Sequence, residues 1–137
     1  METLTQPGYK HTELGWIPVE WEISVLDKVT DVIDPHPSHR APKVDKTGIP
    51  FVGIGDLNED GEIINEGVRL VPNSTFEEHR GRYQLEENLI GLGRVASIGK
   101  VVSLKNLDIQ YTISPTLGII RPKEVERGFL INFLKST

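Results

Sequence analysis

The apolar positions of this chain come in short bursts, separated by polar and glycine-containing breaks. Runs of β-branched and aliphatic residues at 49–54, 62–64, 88–92, 100–104, 110–113 and 117–121 each fit a short strand. Asn58, Glu59, Asp60 and Gly61 predict a turn between the first two, since Asn and Asp bond their own backbone and glycine tolerates positive φ. Helical spacing is rarer. Ser24 and Asp27 match a capping box ahead of Leu26, Val29 and Ile33, which predicts a short helix over 24–33. Ser74 and Glu77 predict another short helix, and Val125, Phe129, Leu130, Phe133 and Leu134 fall on one face of a helix over 124–135. Pro35, Pro37 and Pro42 remove backbone donors and fix φ, so 34–42 reads as an exposed, stiff loop. Residues 1–8 read as a disordered tail, and 9–23 as an irregular leader whose Trp16, Ile17 and Trp21 pack on the body. The expected architecture is an α/β domain of the α+β kind, a curved and mainly antiparallel sheet with short helices.

Length and composition narrow the class. At 137 residues the chain makes one domain with a real core, and 37% apolar with 7% aromatic content argues against disorder. No apolar run approaches a membrane span, the first residues lack the basic-then-apolar plan of a secretory signal, and there is no cysteine. A reducing cytoplasm fits this. The net charge of −5 stands against a nucleic-acid partner, but the charges are unevenly spread. Residues 1–35 hold seven acids and two bases, and 51–66 hold five acids and no base. Residues 94–105 instead hold Arg94, Lys100 and Lys105 with no acid, and 36–50 hold Arg40, Lys43 and Lys46 against Asp45. Local potential, not the total, decides phosphate binding.

Several chemical motifs fail on inspection. Gly91-Leu-Gly93-Arg-Val-Ala96 matches the dinucleotide fingerprint in form, but β-branched residues and Gly99 follow where a helix is required. A phosphate loop needs four residues between its glycines; five separate Gly93 from Gly99, and Val101 stands where a hydroxyl should be. Asp56, Asn58 and Asp60 imitate half a calcium loop, with Gly67 in place of its final carboxylate. His36 and His39 beside Asp34 have metal-like spacing only on a helix, which the prolines forbid. Neither His11 nor His79 has an evident nucleophile, so no catalytic residue, metal or cofactor is expected.

What remains is a basic turn. Two apolar stretches flank Arg94, Ser97 and Lys100, the side-chain types that touch phosphates and base edges. The segment Arg94-Val-Ala-Ser97-Ile-Gly99-Lys100 resembles the Arg-x-Gly-[Ser/Thr]-Ile-Gly-Lys motif in target recognition domains of type I restriction–modification DNA specificity subunits, with Ala96 where that family usually has glycine. Tyr9-Lys10-His11-Thr12-Glu13-Leu14-Gly15-Trp16-Ile17-Pro18 with Trp21 is similar to the leader of such domains. Further matches are Gly48-Ile-Pro-Phe-Val-Gly-Ile-Gly-Asp56, Ile113-Ser114-Pro115-Thr116-Leu117 and Arg121-Pro122, all in the family's order.

The resemblance implies a single recognition domain over 9–137, without the family's spacer helix and second domain. It also implies sequence-specific binding of double-stranded DNA, directing a methyltransferase subunit and a restriction subunit to half of a split site; S-adenosylmethionine would serve the methylase, not this domain. The side chains expected at the DNA are Ser38, His39, Arg40, Lys43 and Lys46 of the proline-rich loop; Arg80, Arg82 and Tyr83; and Arg94, Ser97, Lys100 and Lys105. The rival expectation is a module that docks on the methyltransferase through the acidic 1–35 and 51–66 segments without reading DNA. A second, enzymatic rival is a small metal-dependent hydrolase built on Asp34, His36 and His39.

Overall fold

A computed structural model describes residues 6–36, 40–85, 89–95, 97–105 and 107–136. Its elements in chain order are β1 (Tyr9–Thr12), β2 (Gly15–Pro18), α1 (Leu26–Val29), β3 (Thr30–Ile33), β4 (Ile49–Val52), β5 (Leu70–Val71), α2 (Asn73–Arg80), β6 (Leu89–Gly93), β7 (Val101–Leu104), β8 (Thr112–Ile113), β9 (Leu117–Pro122) and α3 (Arg127–Lys135), with a 3₁₀ turn at Ile54–Asp56. The α+β class with short helices and antiparallel sheets is as expected.

The main sheet has four antiparallel strands in the order β3-β9-β6-β7; a three-stranded sheet runs β5-β4-β8, and β1-β2 is a separate hairpin. Within the second sheet β4 and β8 pair in parallel. Strands β6, β7 and β9 are largely buried on both faces of the main sheet, which explains why they read as nearly unbroken apolar runs, whereas the edge strand β3 leaves Val32 exposed. Leu89, Val102, Leu104, Leu117 and Ile119 point to one side and meet Val52, Ile54, Leu57 and Ile113. Ile90, Val101 and Ile120 point to the other and receive Leu130, Ile131 and Leu134 of α3. Glu126 sets the start of α3, its carboxylate oxygens accepting from the amides of Gly128 (2.9 Å) and Phe129 (2.7 Å).

The structure corrects the sequence at several elements. The expected helix over 24–33 lasts only through α1, because Thr30, Asp31, Val32 and Ile33 pair antiparallel with β9. Strand pairing of β-branched residues outweighs the weak helical spacing there. The expected capping box is not formed: Val25 occupies the cap, and Ser24 Oγ donates to the Val25 carbonyl instead. The strand begun at Ile49 stops at Val52, since Asp56 Oδ2 accepts from the Gly53 amide at 2.7 Å and coils the chain into the 3₁₀ turn. Of 62–64 only Ile63 pairs, in an isolated bridge to Leu57. The turn between them forms as expected, with Asn58 Oδ1 accepting from the Glu62 amide and Gly61 at φ 83°.

The leader is more regular than expected and less buried. It is the β1-β2 hairpin, with Trp16 half-buried edge-on to His11 at 5.2 Å. Gln6 to Gly8 form a turn bonded to β1 and to Val19. Trp21 is 53% exposed and is no core anchor. On α3 the apolar stripe is wider than the sheet beneath it, so Leu130 is buried while Phe129 and Phe133 stay exposed.

These placements set an order of stability costs. Leu130→Ala should lower the unfolding free energy by about 2–5 kcal/mol, as expected for a truncated core leucine. Trp21→Ala should cost less than about 1 kcal/mol. Urea unfolding of both variants checks the ranking; a Trp21 variant as damaged as the Leu130 variant would contradict the exposed position.

Candidate nucleic-acid interface

The proline-rich loop leaves the main sheet at Asp34, just after β3. Its backbone has few donors, so side chains from elsewhere hold it. The Asp34 carbonyl accepts from Arg82 Nε at 2.9 Å, and Asp34 Oδ1 accepts from Arg94 Nη2 at 3.1 Å. The same Oδ1 takes the amide of His36 at 3.1 Å, an Asx turn that starts the loop. Farther along, Arg69 Nη2 donates to the Pro42 carbonyl. The loop closes at Asp45, whose Oδ1 accepts from the Thr47 amide and hydroxyl, while its own amide joins Leu70 of β5. Those Thr47 contacts, side chain first, hold the Asp45 carboxyl below its usual range.

The second segment is the turn between β6 and β7. The Gly93 amide bonds Lys100 O at 2.8 Å, the Gly99 amide bonds Gly93 O at 2.9 Å, and Gly99 sits at φ 86°. A Cβ on Gly93 would fall 2.1 Å from Ser97 O, so the tight turn requires glycine there. Arg94 leaves this turn and is fixed by Pro115 O, 2.9 Å from its Nε, as well as by Asp34. Lys100 turns back onto the body, its Nζ donating to Leu57 O at 3.1 Å. Ser97 and Ile98 are exposed at the tip.

Asp34 thus joins three segments expected at DNA: the loop carrying Arg40, Lys43 and Lys46, the end of α2 through Arg82, and the turn carrying Arg94, Ser97 and Lys100. Arg40, Lys43 and Lys46 are exposed. Arg94 is 40% exposed at its side chain, yet its charge is matched by Asp34. Ser38 and His39 lie outside the described residues. Lys105 sits past the far end of β7, a strand's length from Lys100, and is not gathered with the others. Arg80 lies over the Phe76 ring at 5.5 Å and near Glu77, whereas Arg82 reaches Asp34. Tyr83 is a correction. It is 4% exposed and its hydroxyl is spent on Thr112 and the Ile113 amide, so it cannot stack on a base.

Sequence reasoning also missed the side chains that fasten the loop from beneath. His36, expected as a surface side chain, is 6% exposed, and its ring bonds both His79 (2.9 Å) and the Arg40 carbonyl (2.6 Å). Both ring nitrogens are therefore occupied, which removes His36 from any metal set with Asp34. Among the described residues no group of three or more metal-ligating side chains gathers. His79 was findable, because Phe76, His79 and Tyr83 recur at i, i+3 and i+7 and share one face. His36 was not, since a residue between prolines carries no periodicity. Burial, then the neighbouring His36, push the His79 ring's affinity for protons down; Arg82 adds to this and Glu78 opposes it.

The Ser114 hydroxyl is bonded to Thr116 Oγ1 at 2.8 Å. The segment after Gly91 and Gly93 is strand β7, not the helix that a dinucleotide site needs. No helix of the described residues is long and apolar enough to cross a membrane. No protein-family model matches the chain, and no curated protein matches it.

Burial pushes the hydroxyls of Tyr83 and Tyr111 up to about 12, above the value near 10 of an unfolded tyrosine. Their folded pKa values are raised, so their stabilisation is whole below pH 10 and is lost as pH climbs from 10 towards 12. Urea midpoints measured across that range should fall, and Tyr83→Phe should flatten the fall. A midpoint level to pH 12 would contradict the burial of these hydroxyls.

Proposed function

We propose that this chain is a DNA-reading domain, a target recognition domain that binds one half of a split duplex site and performs no chemistry itself. One observation supports this reading above the others: Asp34 gathers the stiff loop, Arg82 and the Arg94 turn into one exposed face. Stiff backbone with polar heads is what base readout needs, because a loop ordered beforehand loses less entropy on binding. Arg94 spends Nε and one Nη2 contact on the protein, and its Nη1 has no hydrogen-bond partner among the described residues. A bidentate contact from such a guanidinium is worth roughly 1–3 kcal/mol of base discrimination. Arg40, Lys43 and Lys46 supply phosphate contacts on the same loop. The acidic remainder predicts modest affinity for the domain alone, with methyltransferase and restriction subunits supplying the rest of the grip and the catalysis in the cytoplasm.

A second reading has its own observation. Trp21 and Phe129 share an exposed cavity of about 370 Å³ with Glu22, and Phe133 stands exposed one turn further along α3. Apolar side chains left in water beside an acidic segment suit a protein partner, so a module that docks a methyltransferase without touching DNA is the alternative.

A salt titration of binding to random duplex separates the two. The DNA reader should lose affinity with a log–log slope of about −3 if roughly three or four phosphates are engaged. Arg94→Ala with Lys100→Ala should weaken binding by about tenfold or more, with the fold intact by circular dichroism. Exchanging 36–46 for another sequence should change the preferred bases in the reassembled methyltransferase. Salt-independent binding, or no binding at all by a folded domain, would favour the docking module.

A further inference from the structure

Beneath the proline-rich loop, side chains from the loop, α2, its C-terminal flank and β8 form one directed hydrogen-bond chain. The Arg40 carbonyl can only accept, so His36 Nε2, 2.6 Å away, carries a hydrogen. The Ile113 amide can only donate, and it donates to the Tyr83 hydroxyl oxygen at 2.9 Å. Direction is therefore fixed at the Arg40 end, and while both rings are neutral it follows along the whole chain. Tyr83 gives its proton to Thr112 Oγ1 at 2.8 Å, Thr112 gives its own to His79 Nδ1, and His79 Nε2–H donates to His36 Nδ1 at 2.9 Å. With both rings neutral this is the single arrangement, each ring protonated at Nε2. One further proton reverses the chain and keeps the contact between the rings, with His36 Nδ1–H donating to His79 Nε2 and His79 Nδ1–H to Thr112 Oγ1. A second sets N–H against N–H between the rings, inside a site where His36, His79 and Thr112 are each at most 6% exposed.

We propose that the His36–His79 pair is a proton-operated latch. It holds the loop beginning at Asp34 against α2 and β8 while the rings share a hydrogen bond, and it releases the loop when both rings are protonated. Of these side chains only His36 comes from the loop, where it packs edge-on to Phe51; His79, Tyr83 and Thr112 belong to the body. Breaking the contact between the rings can thus free the loop while the sheets stay packed. His79, Tyr83 and Thr112 also line a cavity of about 260 Å³.

Charged groups around the pair bear on its titration. On the loop side are Asp34, which accepts the His36 amide and is itself held by Arg94 and Arg82, and Arg40, whose carbonyl His36 binds. On α2 Glu78 favours a proton on His79, and beyond its end Arg82 opposes one. Arg80 and Asp108 line the same cavity as His79. β4 and β8 present the uncharged Phe51 and Thr112. Burial is the largest influence on His79 and favours the neutral ring. Its folded pKa is thus depressed, so this stabilisation is full above the unfolded histidine value near 6.5 and is lost as pH falls below it.

The latch rests on the DNA-reading proposal only for its consequence, loss of base discrimination in acid; it is tested without DNA. Hydrogen exchange in the whole chain, corrected for the intrinsic pH dependence, should show amides of 40–47 losing protection about tenfold between pH 7.5 and 5, while those of β6 and β9 keep theirs. His79→Ala should give the unprotected loop at both pH values. Because that variant can fail to fold, ¹⁵N spectra of the wild-type imidazoles provide a second reading, with Nε2–H tautomers expected for both rings at pH 7.5. Loop protection that ignores pH, protection lost equally by β6 and β9, or an Nδ1–H tautomer at either ring would each overturn the latch. A working latch in a domain that ignores DNA would sink the DNA reading alone.

Discussion

The candidate interface depends on Asp34, one residue whose carboxylate and carbonyl serve segments far apart in sequence. Its strength is not the point. Arg94 and Asp34 are 40% and 30% exposed at their side chains, and an ion pair in that setting is worth about 0–1 kcal/mol. Its importance is positional. A proline-rich loop with few backbone donors needs fixed points, and Asp34 provides two of them at its first residue while Arg69 and Asp45 act farther along. Prolines then reduce the disorder that those few contacts must overcome. Stiffness from within and weak ties from outside combine to order a segment whose described residues form no strand or helix.

The same arrangement shapes what the basic residues do. Arg82 and Arg94 were expected at DNA on the strength of their charge, and they serve first as struts. A strut is not thereby barred from reading bases: a guanidinium has five N–H groups, and Arg94 commits two of them to Pro115 and Asp34. Partial neutralisation does lower its attraction for phosphate, which fits a domain whose net charge is −5. In the proposed reading, Arg94 is therefore a base-edge contact held at a fixed angle, and the loop lysines carry the phosphate contacts.

Legibility from sequence followed the strength of the physical signal. Strands β6, β7 and β9 of the main sheet were legible because two-sided burial leaves continuous apolar runs, as in Leu89-Ile-Gly-Leu-Gly93 and Val101-Val-Ser-Leu104. α3 was legible from its spacing, but not the exposure of Phe129 and Phe133, because a stripe does not reveal how wide a surface lies beneath it. The stretch 24–33 was misread because Leu26, Val29 and Ile33 fit a helix locally, while the deciding contact, β3 on β9, lies some ninety residues away along the chain. Trp21 was misread on size alone. At the site, the basic turn was legible and its tie to Asp34 was not, because a pairing across sixty positions leaves no local trace.

The buried chain from Ile113 to Arg40 shows why such ties escape sequence reading and still govern behaviour. Each member is ordinary in isolation: a histidine between prolines, a histidine on a helix face, a threonine in a two-residue strand, a tyrosine after α2. Their consequence arises only when all are brought together, because the Arg40 carbonyl at one end dictates every proton along the chain while both rings are neutral. Removing any one member leaves a buried donor or acceptor unpaired at a cost of about 1–3 kcal/mol, more than the exposed Asp34–Arg94 pair contributes. The underside of the loop is therefore its stronger attachment and also the one that protons can undo, whereas the outer ties at Asp34 and Pro42 set where the loop lies while it is held.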